Sequence, residues 1–210
     1  LLLSQEHCYG GVMFVRIALL FSIFALSAVP ARPQPAPIVK EDLVKVALDT
    51  DKGRIVLALD RGRAPITTAN FLAYVDKGYF NGESFYRAFK YGDGGIVQGG
   101  ARSAGKQLPP IKHEPTTQTG LSNKAWTIAM ANAGPGTAGS DFFIMTTDIP
   151  AFDAGAAGPG FAAFGRVVEG QAVVKAILAA PVSPTKGEGS MKGQMLEPAV
   201  KIVKAERVKG

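Results

Sequence analysis

Arg87, behind Phe85-Tyr86, and Gln98, before Gly99-Gly100, are the residues best suited to chemistry in this 210-residue chain. Arginine stays charged at any working pH and presents a rigid fork of donors. Glutamine offers an amide that can hold such a fork or meet a peptide group. A second stretch, Ala131-Asn132-Ala133-Gly134-Pro135-Gly136-Thr137-Ala138-Gly139-Ser140-Asp141-Phe142-Phe143-Ile144, joins a small-residue strand end to a Gly/Pro turn and then to an apolar strand. An ordinary hairpin needs no such run, so the pattern points to an activity as well as a fold. Other chemistries fit poorly. Two histidines and the single Cys8 leave a His/Cys metal site short of ligands. His113 beside Glu114 has no nucleophile elbow and reads as a loop histidine. Gly92-Asp93-Gly94-Gly95 lacks the Lys-Ser/Thr and helix of a phosphate loop, and reads as a flexible insertion. No metal and no cofactor is implied.

Short strands must position these residues. Apolar-rich segments 44–49 and 54–59 flank Thr50-Asp51-Lys52-Gly53, a hairpin signature. Pro65 suits a first helical turn, and Ile66, Ala69, Leu72 and Ala73 suggest an amphipathic helix over 66–77, stopped by Gly78. Further short strands are expected at 84–87, 96–98, 127–131, 142–146 and 164–168, and a last one at 199–208. Val173, Val174, Ile177 and Leu178 mark a second helix over 171–178. Many short strands with two helices argue for a barrel or sandwich whose open ends the helices cover. The long, small-residue-rich loops 100–122 and 152–161 have the character of binding loops.

A hydrophobic content of 47% supports a globular chain. The net charge of +6 comes from scattered Lys and Arg with no basic helix stripe, which reads as solvated surface and no nucleic-acid partner. Met13-Phe14-Val15-Arg16, the apolar run 17–29 and the small residues up to Ala31 read as a secretory signal peptide starting at Met13, with 1–12 an upstream extension. The run is short for a spanning helix of ~20 residues, and an uncleaved membrane anchor is the alternative reading. Cleavage after Ala28 or Ala31 is expected. Pro33, Pro35 and Pro37 then make 32–42 a linker into a domain over 43–208. The mature protein would lack Cys8 and so be cysteine-free, which suits an oxidising compartment. The expectation is a periplasmic monomer with no stable membrane association after cleavage.

Within 43–208 a series of fragments stands in one order: Ala64-Pro65 and Asn70-Phe71, Gly78-Tyr79-Phe80, Phe85-Tyr86-Arg87, Gln98-Gly99-Gly100, Thr127-Ile128-Ala129-Met130-Ala131-Asn132-Ala133-Gly134, Ser140-Asp141-Phe142-Phe143-Ile144, and Phe164-Gly165-Arg166-Val167. In this order they resemble the cyclophilins, a family of peptidyl-prolyl cis-trans isomerases. Pro109-Pro110-Ile111-Lys112-His113-Glu114 with Gly120-Leu121-Ser122-Asn123 is similar to the bacterial branch, many members of which are exported. The resemblance implies a mainly β fold, a closed eight-stranded antiparallel barrel capped by two α-helices. It also implies a substrate class, proline-containing unfolded or extended polypeptides.

By that resemblance Arg87 is the catalytic arginine and Gln98 the residue that holds it and meets the substrate backbone. Phe85, Tyr86, Ile96, Ala131, Asn132, Asp141, Phe143, Phe152 and Phe161 would line the substrate groove, with Phe143 the floor of a proline pocket. Asn132 would pair through its main chain. Rotation about a peptide bond faces ~18–20 kcal/mol because the nitrogen lone pair is delocalised into the carbonyl. A fixed guanidinium facing the prolyl nitrogen stabilises that lone pair as it localises in the twisted state. The chain departs from the family at the rim: Tyr86 and Phe161 stand where His is usual, Asp141 where Gln is, Ala151 where Trp or Phe is, and Gly95 where an aromatic is. The stretch from Arg87 to Gln98 is longer than usual, so Phe89 or Tyr91 could reach in. Asp141 could reach Arg87, directly or through a water, and damp its charge, or could instead be a solvated residue capping the turn at Gly139-Ser140. Two further readings stay open: a proline-peptide-binding chaperone or scaffold with little turnover, and an unrelated small-ligand barrel.

Overall fold

The computed structural model describes residues 42–208; the readings of 1–31, and of 32–42 apart from Asp42, fall outside them. Among the described residues nine strands form one sheet: β1 (Leu43–Thr50), β2 (Gly53–Asp60), β3 (Ser84–Tyr91), β4 (Gly94–Gly100), β5 (Thr127–Met130), β6 (Phe142–Met145), β7 (Ala163–Glu169), β8 (Val182–Ser183) and β9 (Met195–Arg207). Their order is β1-β2-β7-β5-β6-β4-β3-β9-β8, and pairing of β1 with β9 closes an eight-stranded antiparallel barrel with β8 as an appendage. Closure leaves those eight strands no free edge. The barrel is the one expected.

Among the described residues three α-helices accompany it: α1 (Pro65–Asp76), α2 (Thr116–Thr119) and α3 (Gln171–Leu178). The sequence reading expected two. The four-residue α2, Thr-Thr-Gln-Thr, is too short and too polar to show an apolar period. The expected apolar stripe of α1 is also corrected. Ile66 is 38% exposed, and the buried face is Thr67, Thr68, Asn70, Phe71, Leu72, Tyr74 and Val75. Polar groups turn inward here because they have partners. No side chain caps α1 locally; the buried Glu114 carboxylate instead accepts from Ile66 N (3.2 Å), Thr67 N (2.7 Å) and Thr67 Oγ1 (2.7 Å). A carboxylate against the free amides of a helix start is favourable in charge and in hydrogen bonding.

The segment read as a flexible insertion is instead a tight turn. Tyr91 pairs with Gly94 and Lys90 with Gly95, so β3 and β4 run past the expected strand ends and only Gly92 and Asp93 turn the chain. Gly92 has φ 57°, a left-handed value that glycine adopts without steric cost.

Inside the barrel, Phe142 meets Phe71, Phe80 and Phe85 edge-on with ring centroids 5.3–5.6 Å apart. Such pairs add roughly 0.5–1.5 kcal/mol each beyond the area they bury. Successive strand residues face opposite sides. Anchoring Phe142 inward therefore turns Phe143 out, where it joins Ile96, Ala129, Met145 and Ile149 in a second apolar cluster.

Glu83, just before β3, ties the next loop to the barrel. It is buried, accepts from Arg102 N (3.0 Å) and pairs with Lys106 Nζ at 3.0 Å. Burial pushes its carboxyl up, but bonds from Ser103, Arg102 N–H and Lys106 outweigh that, and the net shift is downward. A depressed carboxyl contributes stability that is full above its unfolded value of about 4.3 and is lost as pH falls through its folded value. Wild type should therefore lose stability on acidification below about pH 4.3, whereas Glu83→Gln should be less stable at pH 7 with a shallower acid decline. Denaturant titrations of both proteins at several pH values check this; parallel curves would reject it.

Candidate active site

A β-bulge sets up the site. Phe85 pairs with Gly99 but Arg87 pairs with Gln98, so Tyr86 is an extra residue on β3. Phe85 and Ala88 face the core, at 0% and 5% exposure, and the bulge lets both residues between them face out. Without it, strict alternation would turn Arg87 into the barrel.

Tyr86, Arg87, Gln98 and Asp141 form one hydrogen-bonded chain. Arg87 Nη1 donates to Gln98 Oε1 (2.8 Å), Gln98 Nε2 donates to the Tyr86 hydroxyl (2.7 Å), and that hydroxyl donates to Asp141 Oδ2 (2.8 Å). The Arg102 guanidinium carbon lies 4.5 Å from the centre of the Tyr86 ring, a cation–π distance. Burial, then the Asp141 charge and hydrogen bond, push the Tyr86 phenol far above its usual range, so it stays a neutral donor. Burial lowers the half-buried Arg87 guanidinium from its ordinary value.

Arg87 stands on the lip of a cavity of about 660 Å³. Its apolar end is a cup: Ile96 and Phe143 are 3% and 2% exposed, and Phe143, Phe152 and Phe161 meet edge to face at 4.9–5.6 Å. Ala131, Asn132, Ala133, Thr137 and Asp141 line the other side, with Arg102 and Gln107. Asn132 Oδ1 accepts from Gly134 N (3.0 Å) and Thr137 Oγ1 from Ala133 N (2.9 Å), which fixes the turn beyond β5.

Of the residues expected at the groove, Arg87, Gln98, Ile96, Ala131, Asn132, Asp141, Phe143, Phe152 and Phe161 all line this cavity. Two do not. Phe85 lies in the barrel core, because the bulge begins only after it. Tyr86 sits behind the wall and reaches the cavity through Gln98 and Asp141. Asp141 does not reach Arg87 directly; the Tyr86 hydroxyl takes its carboxylate and Gln98 intervenes. Of the two aromatics on the extended hairpin, Phe89 enters the lining, whereas Tyr91 stays 48% exposed outside it. Arg102, Gln107, Met191 and Gln194 were not anticipated. They come from loops without periodicity, and no local pattern marks them.

Comparisons with known proteins agree with this fold. The family described as Cyclophilin type peptidyl-prolyl cis-trans isomerase/CLD matches residues 44–207. Peptidyl-prolyl cis-trans isomerase cyp18 of Streptomyces antibioticus is 39% identical over 150 residues, 68% of this chain and 87% of that protein. Peptidyl-prolyl cis-trans isomerase A of Dickeya dadantii (strain 3937) is 39% identical over 137 residues, 63% of this chain and 70% of its own length. Among solved structures, a cyclophilin type isomerase of Cryptosporidium parvum aligns with TM-score 0.62 at 20% identity, covering 80% of this chain and 99% of that one. The same protein in the presence of the dipeptide Ala-Pro aligns with TM-score 0.64 at 22% identity, covering 79% and 99%.

Removing the Tyr86 hydroxyl tests the chain of hydrogen bonds. Tyr86→Phe leaves Gln98 Nε2 and Asp141 Oδ2 without their shared partner, and a stranded buried polar group costs about 1–3 kcal/mol. The variant should unfold at lower denaturant and turn over several-fold more slowly, since Gln98 is then free to rotate away from Arg87. Equal stability and equal turnover would show that the hydroxyl holds nothing.

Proposed function

We propose, from the premise that this chain belongs to the cyclophilin-type peptidyl-prolyl cis-trans isomerase family and is an enzyme of that type, that its groove turns X–Pro bonds in unfolded or extended polypeptides, and that its clients are exported proteins. The observation that carries the reading is a half-buried arginine, held by amide oxygens, on the lip of a water-excluding aromatic cup.

The proline ring enters the cup of Ile96, Phe143, Phe152 and Phe161, where the reacting amide loses water. Arg87 then faces the prolyl nitrogen. In the planar ground state the lone pair is delocalised and offers the guanidinium little; as the bond twists, the nitrogen pyramidalises and becomes an acceptor. Binding that strengthens on twisting lowers the barrier. Gln98 keeps the guanidinium in plane, and the main chain at Asn132 pairs with the residue before proline. No bond forms to the enzyme. The Ala-Pro dipeptide present with the Cryptosporidium parvum protein is a compound of the class proposed here.

The exported role rests on sequence. The Met13 to Ala31 segment has the order of a signal peptide, and the linker and domain that follow carry no cysteine. The protein is then a periplasmic member of the bacterial branch that works as a monomer. Expression of the full chain in a bacterial host should release a mature protein from the periplasmic fraction, beginning at residue 29 or 32. Retention of the whole chain in the cytoplasm would overturn the assignment.

Arg87→Ala tests the chemistry. The side chain is on the surface of the barrel, so the variant should fold. Losing one preorganised electrostatic contact costs roughly 10²–10³-fold in rate, and isomerisation of a proline peptide should fall by that factor. A folded variant with near wild-type turnover rules out this role.

A further inference from the structure

Gln194 lies in the loop between β8 and β9, and its side chain touches the group that carries the proposed chemistry. Its Oε1 accepts from Arg87 Nε at 2.8 Å and from Arg87 Nη2 at 2.6 Å. We infer that Gln194 is the positioning residue of Arg87, a neutral acceptor that fixes the guanidinium without cancelling its charge. The inference rests on the role of Arg87 given above.

The geometry fixes the plane of the fork. A guanidinium has five N–H donors. Gln194 takes two of them and Gln98 a third, on different nitrogens, which leaves one N–H on each terminal nitrogen for substrate. Among the described residues no carboxylate pairs with Arg87. That matters for the reaction. A carboxylate here would hold the fork more tightly but would offset the positive potential that the twisted amide needs. An amide oxygen supplies the acceptor dipole and leaves the net charge intact.

Gln194 is itself held in place. Its own Nε2 donates to Ser190 O at 2.6 Å, which commits Oε1 to the opposite side, toward Arg87. Its carbonyl accepts from Ala88 N at 3.0 Å, one residue beyond Arg87, and its amide donates to Met191 O at 3.1 Å. The loop is thus pinned to β3 through main chain at the position where the side chain is needed. Removing the side chain breaks its bond to Ser190 O but leaves both main-chain bonds, so the loop stays joined to β3 in a Gln194 variant while the guanidinium loses its acceptor.

Two variants of the full chain test this, read by steady-state isomerisation kinetics and by NMR of the Arg87 Nε–H. Gln194→Ala should lower kcat roughly ten- to hundredfold, the penalty typical of a misplaced catalytic group, with KM changed less than about twofold. Its Nε–H should lose its protection from solvent exchange. Gln194→Glu should keep that protection, since the carboxylate still grips the fork, yet lose about tenfold or more in kcat. A wild-type kcat in either variant overturns the inference, as does a loss confined to KM. Should Gln194→Ala fail to fold, the near-isosteric Gln194→Glu carries the test alone. Arg87→Ala separates the two levels: inactive Arg87→Ala with fully active Gln194 variants sinks only this inference, whereas active Arg87→Ala sinks the proposed mechanism.

Discussion

The site depends on a hydrogen-bond chain in which every donor points the same way, from the Arg87 cation through Gln98 and Tyr86 to the Asp141 carboxylate. Direction is forced rather than chosen. A phenol has one proton, and the carboxylate takes it, so the Tyr86 oxygen can only accept from Gln98. The Gln98 amide nitrogen must then face Tyr86 and its oxygen must face Arg87, which settles an orientation that an isolated amide would leave open. Aligned dipoles between opposite end charges strengthen one another. A direct contact between Asp141 and Arg87 would put the negative charge against the cation; the relay keeps it two groups away.

One backbone irregularity makes the relay possible. Four of its parts sit on three strands or strand ends, and a regular β3 could present only one of Tyr86 and Arg87 on the outer face. The bulge presents both, the first to Asp141 and the second to the cavity. Room for Asp141 comes from the absence of a side chain opposite it: a Cβ on Gly100 would lie 2.0 Å from Asp141 Oδ1. The Phe142 ring, locked among Phe71, Phe80 and Phe85, holds β6 in the register that brings Asp141 and Phe143 to the same wall. Core packing and site geometry are therefore one constraint.

Local patterns in the sequence show the strands and leave barrel and sandwich open; the resemblance to the cyclophilins, carried by short fragments in one order, implies the closed barrel and most of the cavity lining. Strand alternation, the Gly/Pro turn and the fragments in order each occupy a few neighbouring residues. What it hides is relational. The bulge that sends Phe85 inward and Tyr86 outward depends on pairing with β4, which no local pattern displays. The inward face of α1 carries Thr67 because Glu114 waits for it 47 residues away. Gln194 meets Arg87 across 107 residues, from a loop with no period.

The hairpin of β3 and β4 shows how a cavity wall with no side chain at one position takes a ring from the neighbouring strand. Gly95 cannot regain a side chain: its φ is 153°, and an added Cβ would fall 2.0 Å from Phe89 O. The same hairpin supplies the substitute. Phe89 pairs with Ile96 across β3 and β4. Directly opposed residues in an antiparallel ladder share a face, so Phe89 joins Ile96 on the cavity side, with its ring centre 5.7 Å from the Arg87 guanidinium carbon. An antiparallel hairpin whose pairing continues to its tip fixes which face each side chain takes, and here that pairing sets the Phe89 ring on the cavity wall beside Ile96.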